Sequence, residues 1–189
     1  MEPMEAEQDR DQDRQDQDQD QDRDQDQDRD PGQLYQRRIA SRFAAFDQDG
    51  DGTISREDFN TAAKRLLTEF EVPFRSDRGQ ALCQGAEAFW QGMAGIADVD
   101  GDQRVSREEF VGGAVKRLHD HPDRFAEIAR PFLRAVLAIA ETPAEIERAL
   151  LALGIAPVPA ALSARTLPTA ASGRVDEDAA VAAFARLWD

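Results

Sequence analysis

The stretch Asp47-Gln48-Asp49-Gly50-Asp51-Gly52-Thr53-Ile54-Ser55-Arg56-Glu57-Asp58 sets carboxylates at its positions 1, 3, 5 and 12, and Asp98–Glu109 repeats the arrangement. Carboxylates held this close repel one another, so a chain gathers them only where a cation offsets the repulsion. The spacing is that of a twelve-residue loop. Its oxygens at positions 1, 3, 5, 7, 9 and 12 converge on one hard divalent ion, around a sharp turn at position 6. In the first loop the donors are Asp47, Asp49, Asp51, the backbone carbonyl of Thr53, Ser55 through water, and Asp58, with Gly52 at the turn. In the second they are Asp98, Asp100, Asp102, the carbonyl of Arg104, Ser106 and Glu109. Ile54 and Val105 hold the apolar eighth position, where paired loops hydrogen-bond. Ser55 and Ser106 start exit helices, with Asp58 and Glu109 three residues on as capping-box partners.

Such all-oxygen cages suit calcium, which takes six to eight oxygen ligands, and the sequence provides for two ions. Each loop departs once from the full pattern. Asp58 stands where a longer glutamate would close the first loop, so coordination there drops toward six and magnesium becomes a competitor. Gln103 replaces glycine at the turn of the second loop. Holding it in the left-handed conformation costs on the order of 1–2 kcal/mol, up to roughly tenfold in affinity.

Apolar residues recur at helical spacing on both sides of each loop, and no strand-length alternation is found. Leu34, Ile39, Phe43 and Phe46 mark the helix entering the first loop; Phe59, Ala62, Leu66, Leu67 and Phe70 mark the one leaving it. Glu71–Gly79 reads as a connector. Leu82, Ala86, Phe89, Trp90 and Met93 lead into the second loop, and Phe110, Val111, Ala114, Val115 and Leu118 lead out. Further helices carry Phe125, Ile128, Phe132, Val136 and Ile139, then Ile146, Leu150 and Leu153, and a last one runs from about Asp176 to Trp188. Pro131 is expected to kink or divide the first of these.

At the two loops and their phenylalanine flanks, Asp47–Phe59 and Asp98–Phe110, the chain resembles the EF-hand superfamily, in particular calerythrin-like and sarcoplasmic calcium-binding proteins. The resemblance implies an all-α fold of helix-loop-helix pairs, four loops in all. Here the last two are decayed. Thr142 can cap and Pro143 can open a helix where a third loop would lie, so most of that loop is missing. In Pro168–Ala179, Gly173 and Val175 keep the turn and apolar positions, but Pro168, Ala170, Ser172 and Ala179 stand where ligands should. Asp176, Glu177 and Asp178 read as helix N-terminal charge. The expected organisation is an acidic tail over residues 1–32, an intact EF-hand pair over 33–120 and a degenerate helical pair over 121–189.

Net charge is −15, but residues 1–30, with 14 acidic residues and 4 arginines, account for −10 of it. From Gln8 to Asp30 there is no apolar side chain, so burial cannot offset the entropy of ordering and the tail is expected to be disordered. Acidity disfavours nucleic acid and anionic membranes, which call for basic patches. No run reaches the ~18 apolar residues of a spanning helix. The single cysteine, Cys83, excludes an internal disulfide, which points to the cytoplasm. His119 and His121 flank Asp120 near a helix junction and read as turn residues. No nucleophile motif, phosphate-cradling glycine loop or zinc spacing is found, so the sequence does not read as an enzyme. The expected function is a cytosolic calcium buffer or modest-affinity sensor. Methionine occurs only as Met1, Met4 and Met93, which weighs against a Met-rich target groove. The alternative is a calcium-regulated module that docks an unidentified protein through its degenerate half.

Overall fold

Three helices of this protein begin in the same way. Ser55, Ser106 and Thr142 sit in extended backbone at helix N-caps, and each hydroxyl accepts a backbone N–H from the first turn. Three positions on, Asp58, Glu109 and Glu145 reach back to the cap's own N–H at 2.7, 2.9 and 3.0 Å. Two donors that a helix start leaves orphaned are satisfied at once, which fixes where each helix can begin.

The computed structural model describes residues 40–115 and 122–185. The acidic tail, Leu34, Ile39, Leu118, His119, His121 and Trp188 lie outside the described residues, as do the side chains of Ala114, Val115 and Phe125. The chain divides after Ser41, and the described residues from Arg42 onward pack as one compact unit.

Helix α1 (40–46) leads into the first acidic loop, which holds strand β1 (Thr53–Ser55) and is followed by α2 (Arg56–Glu69). Helix α3 (Asp77–Ala97) leads into the second loop, which holds β2 (Arg104–Ser106) and the single turn α4 (Arg107–Glu109). Then come α5 (Pro122–Leu137), α6 (Pro143–Ala152), α7 (Pro157–Thr166) and α8 (Glu177–Ala185). Among the described residues the fold is helical apart from two three-residue strands, too short to leave an alternation in the sequence. They pair antiparallel, with Ile54 opposite Val105.

Aromatic side chains from the loop flanks build the core. Phe59 meets Phe89 at 5.1 Å between ring centres, and Phe43 meets Phe110 at 5.5 Å, both edge to face. Phe89 also touches Phe46, Phe132 and Phe184, which links α3 to α1, α5 and α8. Helices α3 and α5 approach closely at Gly85, where an added Cβ would stand 2.9 Å from the Phe132 Cα and the Pro131 carbonyl oxygen. Among the described residues no helix is long and apolar enough to cross a membrane.

Several local expectations are corrected. Of the two outcomes expected at Pro131, division does not occur: α5 runs through it to Leu137, packed against α3. The connector after α2 is shorter than Glu71–Gly79, because Ser76 caps α3 and Gly79 lies in its first turn. The exit from the second loop is an α-turn followed by a π-helical stretch, Phe110–Val115. Gly112 and Gly113 favour that departure, since glycine does little to hold an α-helix. Helix α7 has no amphipathic stripe and two prolines near its start, so it left no periodic signal.

The C-terminal half repeats parts of the geometry of the two acidic loops. Only residues 138–142 separate α5 from α6, yet Thr142 and Glu145 repeat the cap of the intact loops. In the last loop Gly173 holds the turn at φ +79°, Val175 is buried, and Asp176 caps α8 through the Ala179 N–H at 2.9 Å. The Val175 N–H donates to the Glu141 carbonyl at 2.7 Å, joining the two junctions where an intact pair has its ladder.

Candidate metal centre

Each acidic loop is wound by its own carboxylates, and the winding is the same in both. The residue at position 1 accepts the N–H groups of positions 4 and 6. In the first loop, Asp47 takes Gly50 at 2.8 Å and Gly52 at 3.1 Å. In the second, Asp98 takes Gly101 at 2.8 Å and Gln103 at 3.0 Å. Position 3 accepts from position 5, as Asp49 does from Asp51 and Asp100 from Asp102. Position 5 accepts from position 7, as Asp51 does from Thr53 and Asp102 from Arg104. These side-chain turns carry the backbone through left-handed residues at positions 4 and 6. Gly50, Gly52 and Gly101 adopt positive φ without strain, whereas Gln103 is forced to φ +65°.

The winding brings one oxygen each of Asp47, Asp49 and Asp58 within 4.8 Å of one another, and likewise one each of Asp98, Asp100 and Asp102. The remaining predicted ligands stand differently in the two loops. Asp58, at the end of the first loop, is 2 % exposed. It accepts the N–H of Gln48 at 2.7 Å, as well as the N–H and hydroxyl of Ser55. Its counterpart Glu109 lies outside the second group and is engaged by the N–H groups of Val99 and Ser106, both at 2.9 Å. Those two amides, Ser106 foremost, hold the Glu109 carboxyl below the usual carboxylate range.

Asp51 is the converse case. Its counterpart Asp102 belongs to the second group, but Asp51 lies outside the first. One oxygen accepts the Thr53 hydroxyl and N–H, both at 2.8 Å, and the other pairs with the Arg104 guanidinium at 3.2 Å. Thr53 and then Arg104 hold the Asp51 carboxyl below its ordinary value. Thr53 and Arg104, whose carbonyls are the predicted backbone ligands, stand on β1 and β2, with Ser55 opposite Arg104 in the ladder.

Sequence reasoning missed the reach of the Arg104 side chain into the other loop. The antiparallel pairing of the eighth positions holds the signal: it sets position 7 of one loop beside the residues of the other. It also missed Gln48, which bridges three elements. Gln48 accepts from Arg65 of α2 and donates to the carbonyls of Ala45 and Leu153.

The donor set fits a hard divalent cation. Within each group every donor is a carboxylate oxygen, with no imidazole or thiolate to favour zinc or copper. Asp47, Asp49 and Asp58 would hold an ion in the first loop, and Asp98, Asp100 and Asp102 in the second.

Comparison with known proteins agrees with this geometry. The model of an EF-hand domain pair matches residues 36–114. A sarcoplasmic calcium-binding protein of Perinereis vancaurica tetradentata is 26% identical over 106 residues, 54% of this chain and 58% of that protein. The chain thus matches little more than half the length of that relative. The solved structure of a Streptomyces coelicolor calcium-binding protein, described as acting in prokaryotic calcium-mediated regulation, superposes with a TM-score of 0.77. It is 58% identical, over 82% of this chain and 97% of that one. The ctenophore photoprotein berovin shares the fold alone, at 17% identity and a TM-score of 0.57, over 80% of this chain and 86% of that one. With the loop winding, the paired strands and a relative this similar over nearly its whole length, the chain belongs to the EF-hand family of calcium-binding proteins.

Proposed function

We propose that this protein binds two calcium ions, one in Asp47–Asp58 and one in Asp98–Glu109, and serves as a modest-affinity calcium buffer or sensor in the cytosol. One observation carries the reading: the same hydrogen-bond winding occurs in both loops and gathers three carboxylates in each. Gathered carboxylates repel one another, so the loops are primed to close on a divalent cation. In the first loop the short Asp58 is held from four sides by Gln48, Asp49 and Ser55. That supports lower coordination and competition by magnesium there. The unpaired Cys83 supports the cytosolic assignment.

A second reading, a calcium-regulated docking module, draws on one feature of the C-terminal half. An apolar cavity of about 490 Å³ opens between α5, α6, α7 and α8, lined by Phe132, Val136, Ile146, Leu150, Leu153 and Phe184 among others. An apolar helix of a target protein is the occupant it would suit. The regulatory description of the Streptomyces relative favours this sensing role over passive buffering.

Calorimetric calcium titration of the wild type, Asp47→Ala and Asp98→Ala, with and without millimolar magnesium, tests the two-site reading. Two sites are expected, one lost in each variant, with the first loop the more sensitive to magnesium. Two sites persisting in either variant would refute the assignment. Binding of an apolar dye that rises with calcium and falls with chelator would favour sensing; an unchanged signal would favour buffering.

A further inference from the structure

Arg104 has a stake in both loops, through its backbone in one and its side chain in the other. Its backbone N–H winds the second loop by donating to Asp102 at 2.8 Å. Its side chain crosses the two-stranded ladder into the first, where the guanidinium lies 3.2 Å from Asp51 and 3.1 Å from the Thr53 hydroxyl. Both oxygens of Asp51 are thereby engaged, one by Thr53 and one by Arg104, and Asp51 is the loop aspartate that stands apart from Asp47, Asp49 and Asp58. The second loop has no such intruder. The residue that corresponds to Arg104 in the first loop is Thr53, which is short and neutral, and Asp102 stays grouped with Asp98 and Asp100.

We propose that Arg104 is a built-in counter-charge of the first loop: its side chain holds Asp51 aside until that loop closes, and so sets the first site's affinity from within the second. The inference rests on the two-site calcium reading. Before it can turn toward an ion, Asp51 has to give up a charged partner. The positive charge of that partner also opposes any cation arriving beside it. The pair is solvent-exposed, with about half of each side chain open (54% for Arg104, 40% for Asp51), so the effect is modest. An exposed pair of this kind corresponds to about a two- to fivefold change in affinity. Being exposed, it also weakens as salt rises.

The test uses the full chain in the Asp98→Ala background, which leaves only the first loop to titrate with calcium by calorimetry. Arg104→Met is expected to tighten calcium binding about two- to fivefold in low salt, with the gain shrinking at high salt. Arg104→Lys, which keeps the charge, should tighten it less. Arg107→Met removes the same unit charge three residues away and controls for general electrostatics. In the Arg104-containing protein, the guanidinium resonance of Arg104 should shift on the first equivalent of calcium. An unchanged or weaker affinity in Arg104→Met would overturn the proposal, and so would an equal gain from Arg107→Met. The same substitution in the otherwise unaltered chain must lower the product of the two dissociation constants, which keeps the test decisive if Asp98→Ala folds poorly. A wild-type chain that takes up no calcium would instead sink the two-site reading, and this inference with it.

Discussion

Ile54 and Val105 face each other across the antiparallel ladder, both with no solvent exposure, so the two acidic loops share a single buried seam. Ile54→Ala is therefore expected to cost about 2–5 kcal/mol of stability, read from denaturant midpoints, and to weaken calcium binding at both loops together. Combined with Val105→Ala, its effect should be non-additive, because each side chain is the other's packing partner. Loss confined to the first loop would show that the seam does not couple the sites.

Among the described residues two non-glycine residues are held at positive φ, Gln103 at +65° and Glu71 at +51°. Glu71 follows α2 in a C-terminal motif closed by the bond from the Val72 N–H to the Leu67 carbonyl at 2.9 Å. The same motif ends α6, where the left-handed position is Gly154. Glu71→Gly should stabilise the protein by about 1 kcal/mol with no change in ion affinity. Gln103→Gly should relieve a similar amount of strain, shared between fold stability and tighter binding at the second site, with about tenfold the ceiling on the latter. Thermal unfolding and calorimetric titration of the two variants separate the outcomes.

Gly85 and Gly92 both lie where α3 meets α5, but what they touch differs. An alanine Cβ at Gly85 would meet the backbone of Pro131 and Phe132, which cannot yield locally; at Gly92 it would meet the Ile128 side chain. Alanine favours a helix over glycine by about 0.5–1 kcal/mol, which offsets part of either clash. Gly85→Ala should remain destabilising by about 1–3 kcal/mol, and Gly92→Ala should cost less. The reverse order in a denaturation series would contradict the packing described.

Glu177, at the start of α8, accepts from Arg134 at 2.8 and 2.9 Å and from Arg130 at 3.2 Å. These guanidinium groups, Arg134 first, hold its carboxyl below the ordinary 4.5. A depressed folded-state value means that the stabilisation is fully present above about pH 4.5 and is lost as pH falls through the lower folded-state value. Glu177→Gln should thus be less stable than wild type at neutral pH, by about 1 kcal/mol at most for a pair this exposed. The gap should close as the solution is acidified below 4.5. A gap that widened on acidification would assign the stability to something other than the ionised carboxylate.

The intact loops were legible because ion ligation fixes residue type and spacing together: Asp47, Asp49 and Asp51 recur as Asp98, Asp100 and Asp102. The same holds for Ile54 and Val105, the apolar residues between polar neighbours. What escaped was set by tertiary contact. Pro131 stays inside α5 because α3 is packed along that helix, which no local rule weighs. Helix α7 is rich in alanine and proline and offers no stripe to find. Glu145 repeats the capping role of Asp58 and Glu109, but the shrunken loop before it removes the frame for counting, so the sequence points to the Thr142 cap without its partner. The Arg104–Asp51 contact joins residues far apart in sequence and follows only once the ladder register is known.

The bond from the Val175 amide to the Glu141 oxygen joins two helix junctions with no gathered group of carboxylates described beside it. That end of the molecule is held by apolar packing, backbone bonds and its own ion pairs, such as Glu177 with Arg130 and Arg134. Stripping divalent ions from a solution of the protein should therefore loosen its front half and leave the rear standing, a rigid handle on a part that moves.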